Sequence, residues 1–208
     1  MIAIFLTALA TLFVAVGPFE MVPIFLAVTS GDTAKNRRRI AIIASTTATV
    51  VLVAFALGGI QLLGLLGVGL PAFRTAGGIL LLMVAADMLL AKHSGISSIT
   101  SQEEDEAKKQ PDVAVVPLGI PMIAGPGSMT AIVLLMGKAH TLPDDAAVLA
   151  GLLLVMAITL VSMLAGDRIM ALIGRTGANA IARVSGILLA ALAMQFIFDG
   201  LSASRLFG

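Results

Sequence analysis

The chain has 208 residues, 59% of them hydrophobic and 12% charged, a balance that excludes a soluble globular domain and marks a polytopic membrane protein. It has no cysteine, which excludes a disulfide framework and thiolate chemistry. The formal net charge of +1 carries no information by itself, and what matters is where the charges fall.

A helix needs about 20 apolar residues to cross a bilayer. Six segments qualify, at about 2–29, 40–66, 72–91, 113–137, 144–166 and 179–202. No Lys or Arg precedes Lys35, so the first segment lacks the basic start of a secretory signal and reads as a retained helix. It is interrupted at Gly17-Pro18, within V-G-P-F-E-M-V-P-I-F-L at 16–26. Proline lacks an N–H and clashes with the preceding turn, yet it is favoured at the first position of a new helix. The segment is therefore expected to stop near Val16 and restart at Pro18. The second segment carries a polar stripe of Ser45, Thr46, Thr47 and Thr49, whose hydroxyls satisfy backbone carbonyls or join helices. The third begins at Arg74, has a Gly77-Gly78 pair suited to close packing against the first, and holds Asp87 towards its end.

The run S-Q-E-E-D-E-A-K-K-Q-P between Lys92 and Asp112 is the only long polar stretch and reads as a solvated linker. The fourth segment bends at Pro117 and Pro121 and then breaks at Gly125-Pro126, within A-G-P-G-S-M-T-A-I-V-L at 124–134. It is expected to stop near Ala124 and restart at Pro126. The sixth begins near Arg183 and ends with Gln195 and, one turn on, Asp199.

The two Gly-Pro breaks lie 108 residues apart, and the same offset aligns Gly78-Ile79-Leu80-Leu81 with Gly186-Ile187-Leu188-Leu189 and Gly58 with Gly166. Three spans per half force the second half into the membrane upside down. The fold class is thus an all-α integral membrane protein of six transmembrane helices forming two inverted three-helix repeats. Helices 1 and 4 are broken at Gly-Pro near the midplane. Residues 1–91 make the first repeat, 92–112 a cytoplasmic linker and 113–208 the second repeat.

Two opposed breaks would point two half-helix N-termini at the bilayer midplane, each with free N–H groups and about half a positive charge. Such ends can hold a carboxylate. Plain kinking is the alternative, since Pro and Gly are common in membrane helices. The symmetric placement favours a site made of Gly17, Pro18, Phe19, Glu20, Gly125, Pro126, Gly127, Ser128 and Thr130. Ionisable groups inside a span are functional candidates by default. Glu20 is either a helix-end acid that meets the dipole, or the partner of a substrate ammonium or a transported proton. Asp87 is the second coupling candidate, or else pairs with Lys92. Asp199 reads as interfacial, and Arg74 and Arg183 as anchors or as intersubunit or inter-helix pairs instead of ligands. His93 and His140, the only histidines, fall in loops, and there is no zinc helix or nucleophile with a base. No catalytic residue, metal or cofactor is expected, nor a nucleic-acid partner. A homo-oligomer is left open.

These breaks, with R-T-A-G-G-I-L-L at 74–81 and P-M-I-A-G-P-G-S-M-T at 121–130, resemble the MarC family of bacterial inner-membrane proteins over nearly the whole chain. The first break departs from the commoner D-P-x-G-N-x-P form, with Gly17 for Asp, Glu20 for Gly and Met21 for Asn. The resemblance implies a transporter of small neutral, zwitterionic amino acids of the glycine and alanine class, coupled to an ion gradient. Exporters of drugs or small metabolites and channel-like pores stay open as alternatives.

With the N-terminus outside, ten Lys and Arg residues fall on the cytoplasmic side (Lys35, Arg37, Arg38, Arg39, Lys92, Lys108, Lys109, Arg168, Arg175, Arg183) and three outside (Arg74, Lys138, Arg205). The excess places both termini in the periplasm. A phosphatase fused after residue 100 should therefore be inactive and a cytoplasmic reporter active; the opposite pattern would reverse the orientation.

Overall fold

The computed structural model of the chain describes residues 2–90 and 114–204. The predicted linker and Lys92, His93, Lys108, Lys109 and Arg205 lie outside these residues. Every regular element described is a helix: α1 (Ile2–Val16), α2 (Met21–Val28), α3 (Ala34–Leu65), α4 (Leu70–Leu90), α5 (Ala114–Ile123), α6 (Pro126–Met136), α7 (Leu142–Leu164) and α8 (Gly166–Ser202). Among the described residues five stretches are long and apolar enough to cross a bilayer: Ile2–Val28, Ala34–Leu65, Leu70–Leu90, Leu142–Leu164 and Thr176–Ser202. The α5–α6 pair, bent by 55°, makes a sixth if it is one span. Large apolar side chains such as Val50, Leu57, Val161 and Ile187 are exposed on the bundle surface, as contact with lipid requires.

Two boundaries differ from the sequence expectation. Helix α3 starts at Ala34 instead of near 40, because Thr33 caps it by accepting from Asn36 N at 3.3 Å. Its basic first turns extend beyond the apolar stretch that marks the span. Helix α8 starts at Gly166 instead of near 179, and turns at Gly174, where φ is 62°. The apolar pattern alone registers only the part after that turn.

The closest helix packing is between α4 and α8. A Cβ on Gly78 would stand 2.7 Å from Ala193 O and 3.0 Å from Ile197 N. A Cβ on Gly186 would stand 3.2 Å from Ala85 O and 3.0 Å from Met88 Cβ. The pairs Gly78–Ala193 and Ala85–Gly186 exchange under the 108-residue shift. At the far end of the seam a Cβ on Gly200 would lie 2.8 Å from both Pro71 O and Thr75 N. The Gly77-Gly78 pair therefore does not face the first span, as expected from sequence. Gly77 is pressed by Thr130 of α6, and Gly78 by α8. Around this seam α1 packs on α7, and α5 on α3.

Two ion pairs tie the helix ends. Arg37 Nη1 meets Asp167 Oδ2 at 3.1 Å, and Lys138 Nζ meets Asp199 Oδ2 at 2.9 Å. A path of six crossings puts the partners of each pair on the same side of the membrane. Asp199, read from sequence as interfacial, is thus a paired acid between α6 and α8.

A glycine inside the seam, Gly78, and one outside it, Gly58 of α3, should respond differently to an added methyl group. Gly78→Ala should destabilise the purified protein by about 1–3 kcal/mol, because backbone atoms must separate to admit a methyl group. Gly58 has nothing within 4 Å of an added Cβ, so Gly58→Ala should be neutral or stabilising by up to about 1 kcal/mol. Denaturant unfolding in detergent checks both; equal effects would contradict the seam.

Candidate functional site

The first break is built on Gly17, which has φ +61°, a left-handed conformation that glycine adopts without a Cβ penalty. Gly17 O accepts from Glu20 N at 3.0 Å and Met21 N at 3.1 Å, and Phe19 O accepts from Val22 N at 3.4 Å. Regular helix therefore resumes at Met21 after a tight turn of Pro18, Phe19 and Glu20, not at Pro18. The amides of Glu20, Met21 and Val22 are satisfied within the turn, and that of Phe19 meets no backbone acceptor among the described residues. The Phe19 ring folds back edge-on to Phe13, with centroids 5.9 Å apart.

Glu20 stands at the N-terminus of α2 yet makes no capping hydrogen bond to it. Its side chain doubles back over Gly17: a Cβ there would lie 3.0 Å from Glu20 Oε2 and 3.1 Å from Cδ. The Ser185 hydroxyl of α8 stands where it can donate to the carboxylate. Oε1 is buried with no hydrogen-bond partner among the described residues. An unsatisfied buried acceptor costs on the order of 1–3 kcal/mol, more if it is charged. A capping acid would not be held this way, so the geometry departs from the helix-end reading.

The second break forms differently. Val116 and Ile120 are extended, each because a proline follows it, and they bend the approach as the sequence suggested. Gly125 is the extended residue before α6, and a Cβ on it would come within 2.5 Å of Pro121 O, so no larger residue fits. Pro126 opens α6, and Met129 N donates to Gly125 O at 2.9 Å. No backbone acceptor among the described residues takes the Gly127 or Ser128 amide. The buried Ser128 hydroxyl lies 2.9 Å from Ile123 O and 3.1 Å from Gly125 O, so it donates back across the break. Ser128 thus braces the break with its side chain and not by capping the helix with it.

Residues beside both breaks contribute to the main buried core. Val16, Met21 and Phe25 share one buried cluster with Ile123, Ala124 and Ala131. Around that cluster the polar groups diverge: Glu20 turns towards α8, while Gly127 faces Leu81 and Val84 of α4, and Thr130 packs on Gly77. Asp87 lies one turn beyond Val84, half-buried and already engaged with a partner. Among the described residues no three His, Asp or Glu groups could hold a metal ion. Sequence reasoning missed Ser185. It occupies the position in α8 that matches Gly77 of α4 under the 108-residue shift, and a hydroxyl at a close-packing position was the available signal.

Glu20 lying over Gly17 has a measurable consequence. Gly17→Ala should cost about 1–2 kcal/mol from the left-handed backbone alone, and more because the methyl group presses on the carboxylate. In a Glu20→Ala background the second part should vanish, giving a coupling of roughly 0.5–3 kcal/mol in a double-mutant unfolding cycle. Strict additivity would place the Glu20 carboxylate elsewhere.

Comparison with known proteins agrees with this architecture. The family model for MarC family integral membrane proteins matches residues 2–204. A UPF0056 membrane protein of Methanocaldococcus jannaschii is 34% identical over 202 residues, covering 97% of this chain and 98% of its own. The UPF0056 membrane protein YvbG of Bacillus subtilis is 36% identical over 191 residues, covering 92% of this chain and 90% of its own. A UPF0056 membrane protein of Aquifex aeolicus is 33% identical, covering 95% and 92%. No solved structure matches. The chain belongs to the MarC family of multi-pass integral membrane proteins.

Proposed function

We propose that the chain is a secondary transporter that moves small neutral amino acids of the glycine and alanine class across the bacterial inner membrane. The observation that carries this reading is the asymmetry of the two breaks. One retains open donors, the Gly127 and Ser128 amides, and the other holds an acceptor in want of a donor, Glu20 Oε1. A zwitterion requires donors for its carboxylate and an acceptor for its ammonium. The amides at the start of α6 also carry the positive end of that helix, which favours an anion. Glu20 supplies the opposite charge.

The same carboxylate suits coupling. It can accept the ammonium or a proton, and a group that exchanges these on the two sides of the membrane links substrate movement to a proton gradient. Asp87 is the second coupling candidate. The reciprocal contact of α4 and α8 supports an inverted repeat. The excess of Lys and Arg on one side supports termini in the periplasm.

Saturable uptake of labelled alanine into proteoliposomes, driven by an inward proton gradient, is the expected behaviour. Glu20→Gln keeps the shape and removes the charge. It should raise KM by about tenfold or more, the equivalent of one charge-assisted hydrogen bond, and flatten the dependence of uptake on external pH. Superimposable pH profiles would remove Glu20 from the coupling path, and unsaturable flux at diffusive rates would indicate a pore.

A further inference from the structure

The described residues contain a third buried polar atom in want of a partner besides Glu20 Oε1 and the Ser45 hydroxyl: Arg74 Nε, in the first turns of α4. It lies in a charged cluster assembled from three helix ends. Lys138, just past the end of α6, meets Asp199 Oδ2 at 2.9 Å, and Gln195 Nε2 donates to Asp199 Oδ1 at 2.7 Å. The Lys138 ammonium also lies 5.3 Å from the centre of the Phe196 ring. Arg74 is near enough for its charge to bear on Asp199. Both oxygens of Asp199 are thus taken by other donors, while a buried guanidinium N–H beside them has no acceptor. Two cations, Arg74 and Lys138, bear on one carboxylate.

The cluster is held in place. Gly200 packs on Pro71 and Thr75, so the end of α8 and the start of α4, which carry Asp199 and Arg74, are fixed to each other. The neighbouring Thr75 hydroxyl is spent on Pro71 O at 3.1 Å and does not compete. The side chains of Lys138 and Asp199 remain 38% and 26% exposed, so the outer part of the cluster lies at the bundle surface, with Arg74 Nε buried behind it.

We propose that Arg74 and Lys138 form a carboxylate-binding site at this end of the bundle, separate from the breaks, where a substrate carboxylate docks before it passes along α6. One carboxylate oxygen accepts from Arg74 Nε and the other from Lys138, whose ammonium has further protons beyond the one given to Asp199. The site is a second one, because the 11 residues of α6 put its two ends about 16 Å apart. The docking role rests on the transport reading above, whereas the carboxylate chemistry does not. A lipid phosphate is the other oxyanion available at such a depth. The burial of Nε between helices favours the smaller ligand.

Acetate is the probe. At fixed ionic strength, sodium acetate should raise the thermal midpoint of the maltoside-solubilised protein above that in sodium chloride, because a ligand bound to the native state stabilises it. Arg74→Gln and Lys138→Gln should each abolish that difference, and if Arg74→Gln does not fold, Lys138→Gln reads the same loss. In proteoliposomes Arg74→Gln should raise KM for alanine about tenfold with Vmax near wild type. An acetate effect that is absent, or that survives in both variants, overturns the site. So does stabilisation by phosphatidylglycerol that is lost in Arg74→Gln while acetate has no effect. Loss of the acetate effect with KM unchanged overturns the docking role. Wild-type protein that responds to acetate but takes up no amino acid refutes the transport reading and leaves the carboxylate site standing.

Discussion

Backbone polar groups inside a bilayer have no water to bond with, so a helix can break there only where the chain or the cavity beside it supplies replacements. The two broken spans meet this constraint in different ways, and the rest of the site follows from the difference. At Gly17 a left-handed residue lets one carbonyl serve two amides, and the turn satisfies all but the Phe19 amide. At Gly125 the extended approach through Val116 and Ile120 leaves the start of α6 open, and the Ser128 hydroxyl satisfies carbonyls instead of amides. The Glu20 carboxylate beside that first break turns away from the helix end, over Gly17 and towards Ser185. Free amides at the open break call for an anion from outside.

The proposed transport would need a part that holds still and a part that yields. The α4–α8 seam has the character of the first: backbone carbonyls lie within van der Waals reach of glycines on the facing helix, and Gly200 locks its end. Such packing does not slide without losing its contacts. Helices α2 and α6 have the character of the second. Each is a half-helix joined to the rest by a single turn or an extended residue, and each leans on the seam through small residues, Gly166 against Val22 and Leu26, and Gly77 against Thr130. Ion pairs at both ends of the bundle, Arg37–Asp167 and Lys138–Asp199, add ties that water and ligands can reach and exchange.

Much of this was legible in the sequence because proline and glycine act locally. Pro126 marks the start of α6 and Val16 the end of α1 as expected, and the bends before Pro117 and Pro121 are where the prolines put them. What could not be read is tertiary. Only the folded packing shows that Gly77 and Gly78 face two different helices, that Glu20 folds back over Gly17, or that Ser185 waits beside it. The boundaries of α3 and α8 escaped because hydropathy reports where a helix meets lipid, not where it ends. Arg74, Lys138 and Asp199 stand far apart in the chain, and pairing them needed the helix order in space.

The central claim is that both breaks line one substrate site. The chain has no cysteine, so any cysteine introduced is its only thiol. Phe19→Cys and Met129→Cys place that thiol next to each break, and Leu172→Cys places it at an exposed position in the second turn of helix α8. Labelling by a water-soluble methanethiosulfonate in proteoliposomes should be slowed by alanine at Phe19→Cys and at Met129→Cys, and unaffected at Leu172→Cys. Protection at only one break, or labelling rates at both that ignore alanine, would contradict a shared site.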